Sequence, residues 1–75
     1  MKYKADWWYM RDNHTFLQLK GSKKDMRMAL MEEFLNGYTY GMLCTKTEGY
    51  EKIKVHANGS KRWEEFIDEC FKVMV

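Results

Sequence analysis

Two histidines, two cysteines and a Gly-Ser-Lys-basic tetrapeptide written twice are the places where this chain could do chemistry. A catalytic base needs a partner that orients it and a nucleophile within reach. His14 follows Asp12 and Asn13 in a turn-forming cluster, and His56 falls beyond Lys52 and Lys54. Neither belongs to a catalytic motif. Zinc would call for close ligand pairs such as C-x2-4-C or H-x3-5-H, and Cys44, Cys70, His14 and His56 do not supply that spacing. The expectation is a protein that is no enzyme and uses no metal or cofactor.

The tetrapeptides are GSKK at 21–24 and GSKR at 59–62. Each lies where a strand-like run gives way to a helix-like one. A helix N-terminus presents free N–H groups and can receive a phosphate, so anion binding is one use for these corners. The phosphate-loop spacing GxxxxGK[ST] is missing. The alternative is an ordinary strand-to-helix corner, in which Lys23-Lys24 and Lys61-Arg62 oppose the helix dipole at a cost of a few tenths of a kcal/mol per charge.

The elements that place these residues follow from hydropathy patterning. Tyr3, Ala5, Trp7 and Tyr9 alternate with Lys4, Asp6, Trp8 and Met10, and after Asp12-Asn13-His14 the residues Thr15, Leu17 and Leu19 alternate with Phe16, Gln18 and Lys20. That predicts a β-hairpin. Ser22 is a natural N-cap with Asp25 three residues on, and Asn36-Gly37 is a natural stop, so a helix is expected over 23–36. The second half follows the same plan. Strand-like runs at 38–46 and 50–57 flank the turn Thr47-Glu48-Gly49, and a second helix is expected over 61–74. A shift of 38 carries Thr15, Leu17 and Leu19 onto Ile53, Val55 and Ala57, which reads as one ββα unit written twice.

These elements make a single α+β domain over 1–75, ordered ββαββα, with one four-stranded antiparallel sheet and both helices on one face. Trp63, Phe66, Ile67, Cys70, Phe71 and Met74 form a stripe on the second helix, opposite Glu64, Glu65, Asp68 and Glu69. Cys70 belongs to that core stripe as a small hydrophobe. On the first helix Met26, Ala29, Leu30 and Phe34 form one stripe, while Met28, Met31 and Leu35 lie on another side.

Two surfaces remain after the core is filled. Trp7 and Trp8, with Met28, Met31 and Leu35, suit a protein partner or a second copy of the chain, since methionine adapts to apolar partners, and Glu64, Glu65 and Asp68 join them as expected partner-binding residues. The sheet face away from the helices is expected to show Phe16, Lys20, Lys52, Lys54 and His56, a combination able to stack bases and track phosphates. Net charge decides between them. It is only +2, from 13 basic and 11 acidic residues, and acid at Glu64, Glu65, Asp68, Glu69 and Glu32-Glu33 would repel phosphates. Protein binding is therefore preferred, with a single-stranded nucleic-acid or RNA-binding module as the alternative. No run approaches the ~18 apolar residues of a membrane span, and the N-terminus lacks an apolar signal region, so a cytoplasmic protein without a membrane partner is expected.

In size, lack of a catalytic motif and surplus of surface aromatics the chain resembles the small phage-encoded inhibitors, such as anti-CRISPR and other anti-defence proteins. That resemblance implies a protein that occludes a site on a larger host protein, with the acidic helix faces mimicking nucleic-acid charge.

Overall fold

The computed structural model describes residues 3, 5–11, 14–45, 55–59 and 62–75. The elements run β1 (Trp7–Arg11), β2 (Phe16–Leu19), α1 (Lys23–Leu35), β3 (Tyr40–Thr45), β4 (Val55–Asn58) and α2 (Trp63–Met74). The strands form one antiparallel sheet in the order β2-β1-β3-β4. The expected ββαββα, α+β architecture is the observed one, with β1 and β3 joining the two hairpins at the centre. The helices differ slightly from expectation, α1 ending one residue earlier and α2 starting two residues later. Tyr3 and Ala5 precede β1 and pack against the core without joining the sheet. The turn at Thr47-Glu48-Gly49, the strand positions 50–54 and the corner residues Ser60 and Lys61 lie outside the described residues.

Register assigns the two sheet faces. Trp7 pairs with Leu19 and Thr45, and Tyr9 with Leu17 and Leu43; Leu43 in turn pairs with Val55, and Gly41 with Ala57. These residues share the face under the helices. The expected inward set Leu17, Leu19, Val55 and Ala57 is in place, whereas Thr15 is exposed beyond β2 and Ile53 is outside the described residues. The opposite face carries Trp8, Met10, Phe16, Gln18, Met42, Cys44 and His56.

The helix ends explain how the chain turns into this layer. Ser22 Oγ accepts from the Asp25 N–H at 3.1 Å, and the Asp25 carboxylate accepts from the Ser22 N–H at 3.0 Å, a complete capping box. At the other end the Tyr38 N–H donates to Glu33 O and the Gly37 N–H to Phe34 O, with Gly37 at φ 87. That is a Schellman stop, and it needs the left-handed residue that glycine supplies. The stop aims Tyr38 back at β1, where its carbonyl accepts from Tyr9 Oη at 3.0 Å. α2 has a different start. Its N-cap is Arg62 at φ 58 with no side-chain cap, whereas the matching Lys24 is already inside α1, so the two helices do not begin at equivalent positions.

The core gathers where the sheet and both helices meet. Trp63, the first residue of α2, packs on Phe66 (ring centroids 4.7 Å apart) and Phe34 (5.7 Å), and presents an edge-to-face contact to Tyr9 at 6.2 Å. Its indole N–H donates to Leu30 O in α1 at 3.0 Å. Arg11 and Glu33 form a bidentate pair with contacts of 2.7 and 2.8 Å, and the Arg11 guanidinium lies 3.8 Å from the centre of the Tyr38 ring. Glu33 is buried. Its position follows from spacing, because 26, 30 and 33 fall on one side of a helix and carry Met26, Leu30 and Glu33 into the core together.

Two predictions follow from this packing. An added methyl at Gly41 would collide with the Met10 carbonyl oxygen and the Tyr9 phenol, so Gly41→Ala should lower stability in urea by about 2 kcal/mol or more through overpacking; an unchanged midpoint would refute this account of the β1–β3 contact. Glu33→Ala leaves Arg11 half-buried and unpaired and should cost about 2–3 kcal/mol, while the apolar pair Arg11→Met/Glu33→Leu should return to within about 1 kcal/mol of the native protein. Equal losses in the single and double variants would show that the pair is not what matters there.

Candidate partner-binding surface

α1 has apolar residues on every side. Met26 and Leu30 point into the core, Ala29 and Phe34 are half-buried, and Met28 and Leu35 face solvent at 61% and 74% exposure. At about 100° per residue Met28 and Leu35 lie almost opposite the buried side; Glu32 falls between them along the helix axis but is turned to the flank away from Met31, which is off toward α2. The α1 face of this candidate surface is thus Met28, Met31 and Leu35, with Met31 half-buried at its edge.

α2 runs antiparallel beside α1. The pairing is marked by Trp63 against Leu30 and Phe34, by an ion pair of Arg27 with Asp68 at 3.1 Å, and by Lys23 Nζ 5.2 Å from the centre of the Phe71 ring. Between the C-terminal half of α1 and the first turn of α2 is a cleft of about 420 Å³, lined by Met31, Phe34, Trp63, Arg62, Glu64 and Glu65. Its floor is apolar. At its rim Arg62 is tied to Glu65 at 2.6 Å. Glu64, Glu65, Asp68 and Glu69 all face solvent along the outer side of α2.

Several expected surface residues are elsewhere. Trp7 is 0% exposed and belongs to the core under the helices, since its strand parity is that of Tyr9; it is removed from the partner-binding set. Trp8 is half-buried on the other sheet face, away from Met28 and Leu35. Glu33 is also corrected, because Arg11 neutralises it in the interior and only Glu32 adds to the acidic surface. Phe34 and Trp63 had the spacing of core residues and are that, yet both also floor the cleft. Sequence periodicity assigns a residue to one side and cannot show a side chain shared between core and cleft.

On the sheet face away from the helices a row runs Phe16, Met10, Met42, His56 across all four strands. Phe16 is 36% exposed, and Lys20 and His56 face solvent. Lys52 and Lys54 lie outside the described residues. The middle of this face is closed, with Met42 and Cys44 buried and Trp8 and Met10 half-buried. The described part is therefore no open aromatic platform.

The remaining chemistry is accounted for locally. Burial pushes the Cys44 thiol up to about 11, and burial followed by the nearby Glu69 charge pushes Cys70 up to about 12. Both thiols stay protonated near neutral pH, the unreactive form. At the GSKK corner the Asp25 carboxylate already sits on the Ser22 N–H and Oγ, so α1 carries its own anion where a phosphate would bind. Among the described residues no three His, Cys, Asp or Glu side chains gather as a metal site, and no helix is long and apolar enough to cross a membrane. No protein-family model, curated protein or solved structure matches this chain.

The corner also gives a pH prediction. Hydrogen bonds from the Ser22 backbone and hydroxyl hold the Asp25 carboxyl below its ordinary value. A depressed folded-state pKa contributes stability above the ordinary carboxylate range and loses it as pH falls through the folded-state value. Ser22→Ala should cost about 1 kcal/mol near neutral pH, and the gap between native and variant should narrow as the solution is acidified. A gap that widens in acid would refute the capping-box assignment.

Proposed function

We propose that this protein is a non-enzymatic protein-binding module that uses the outer face of α1 and the cleft beside α2 to cover a site on a larger partner protein. The observation carrying this reading is the pair Met28 and Leu35, large apolar side chains held out in water on a well-formed helix and continuous through Met31 with an apolar-floored cleft. A helix face that offers anchors seven residues apart beside a groove suits partner recognition by side-chain insertion. An inhibitor of the phage-encoded, anti-defence kind, acting on a host protein, is the class of module that the chain's size and composition suggest. With Trp7 in the core, the exposed apolar candidates for partner contact reduce to the α1 strip, which is better suited to a heterologous partner than to an obligate homodimer.

The alternative, nucleic-acid binding on the sheet face through Phe16, Lys20, Lys52, Lys54 and His56, draws support from the exposure of Phe16, Lys20 and His56. The closed centre of that face argues against it.

Affinity capture from host lysate, with and without nuclease, separates the two. A discrete protein should be retained after nuclease by the native chain and lost, or weakened about tenfold or more, by Met28→Gln/Leu35→Gln, since each anchor contributes roughly 1.5–3 kcal/mol when fully buried. Glutamine keeps helix propensity, so the variant should melt like the parent. Capture of nucleic acid alone, unaffected by that variant and abolished by Lys52→Glu/Lys54→Glu, would replace this reading with the alternative.

A further inference from the structure

The surface that Met28, Met31 and Leu35 share with the cleft is bordered by carboxylates, and their distribution points to the kind of partner it takes. Along α2 four carboxylates, Glu64, Glu65, Asp68 and Glu69, stand against the single lysine Lys72. Two of the four have cations of their own, Glu65 with Arg62 and Asp68 with Arg27. Glu64 at the cleft and Glu69 farther along α2 are exposed and enter none of the ion pairs among the described residues, and Glu32 on α1 is placed in the same way, between Met28 and Leu35 along the helix axis.

The helix dipole explains part of this pattern. Carboxylates in the first turn of a helix are stabilising, which accounts for Glu64 and Glu65. It does not account for Glu32, in the last turn of α1, where a negative charge opposes the dipole, or for Glu69 in the middle of α2. Lys24, exposed one turn before Met28 on the same side of α1, places a positive charge at the N-terminal end of the strip; the acid of Glu32 and Glu64 is therefore concentrated toward the cleft end, in a chain whose net charge is +2. Such a field draws cationic partners and turns away phosphates.

We infer that the surface takes a basic segment of a partner protein, in which one large apolar side chain enters the Met31–Phe34–Trp63 cleft and flanking Lys or Arg residues meet Glu32 and Glu64. The inference rests on the protein-binding reading above and specifies the chemistry of its partner. The apolar anchor supplies the buried area, and the carboxylates supply orientation and discrimination.

The test uses a random dodecapeptide library displayed against the immobilised full chain, with selected peptides then resynthesised and titrated. Selection runs in parallel on the native protein, on Glu32→Lys/Glu64→Lys, on the neutral Glu32→Gln/Glu64→Gln, and on Met28→Gln/Leu35→Gln, each checked for native circular dichroism. Peptides enriched on the native protein should pair a large apolar residue with flanking Lys or Arg. They should bind the charge-reversed variant at least tenfold more weakly, with the neutral variant between. Enriched peptides without basic excess, bound equally by the charge-reversed protein but lost on Met28→Gln/Leu35→Gln, would overturn the basic-segment inference and leave the protein-binding surface standing. No enrichment, or enrichment indifferent to Met28→Gln/Leu35→Gln, would overturn both. Sedimentation of the native chain alone completes the test, because a dimer dispersed by Met28→Gln/Leu35→Gln would assign the surface to a second copy instead.

Discussion

The indole of Trp63 holds the arrangement together. It stands at the first turn of α2, donates its N–H to a carbonyl of α1, packs against Phe34 and Phe66, and meets the ring of Tyr9 from the central strand β1. One side chain thereby fixes α2 against α1 and both against the sheet. The buried donor makes the alignment specific, because an indole N–H shifted away from Leu30 O would be left unpaired in the interior at a cost of roughly 1–3 kcal/mol. Once Trp63 is placed, the antiparallel course of α2 brings Asp68 to Arg27 and Phe71 to Lys23, and it opens the cleft whose floor the same indole forms.

A second constraint works on the other side of α1. The Schellman stop at Gly37 returns the chain so that Tyr38 offers its carbonyl to Tyr9 and its ring to Arg11, while Glu33, one turn earlier, closes the bidentate pair with Arg11. Helix stop, strand and ion pair specify one another. A buried pair of this kind adds little net stability compared with apolar packing, but it penalises any register in which one partner is left alone. It also takes a cation and an anion out of the exposed surface, and leaves Glu32 as the carboxylate that the second half of α1 shows to solvent.

Both thiols are buried and protonated, and the α1 N-terminus is filled by its own carboxylate. What faces outward on the helices is a mixture: Met28 and Leu35, the carboxylates Glu32, Glu64, Glu65, Asp68 and Glu69, and the cations Lys23, Lys24, Arg62 and Lys72.

Much of this was legible in the residues. Alternation of apolar and polar positions, the Ser22/Asp25 and Asn36/Gly37 signals and the amphipathic stripe of α2 determine the order ββαββα and most of the core, because short-range periodicity and capping are local properties. The exposed Met28 and Leu35 follow from the same geometry, being too far around α1 to share a side with Met26 and Leu30. The sequence could not choose between Trp7 and Trp8, since both strand parities are aromatic and only pairing with Leu19 and Thr45 under the helices put Trp7 inside. Nor could it show that Glu33 is neutralised by Arg11 across 22 positions, or that Phe34 and Trp63 serve core and cleft together. Those outcomes depend on which distant segments meet, and that was decided when Trp63 docked α2 onto α1 and the sheet.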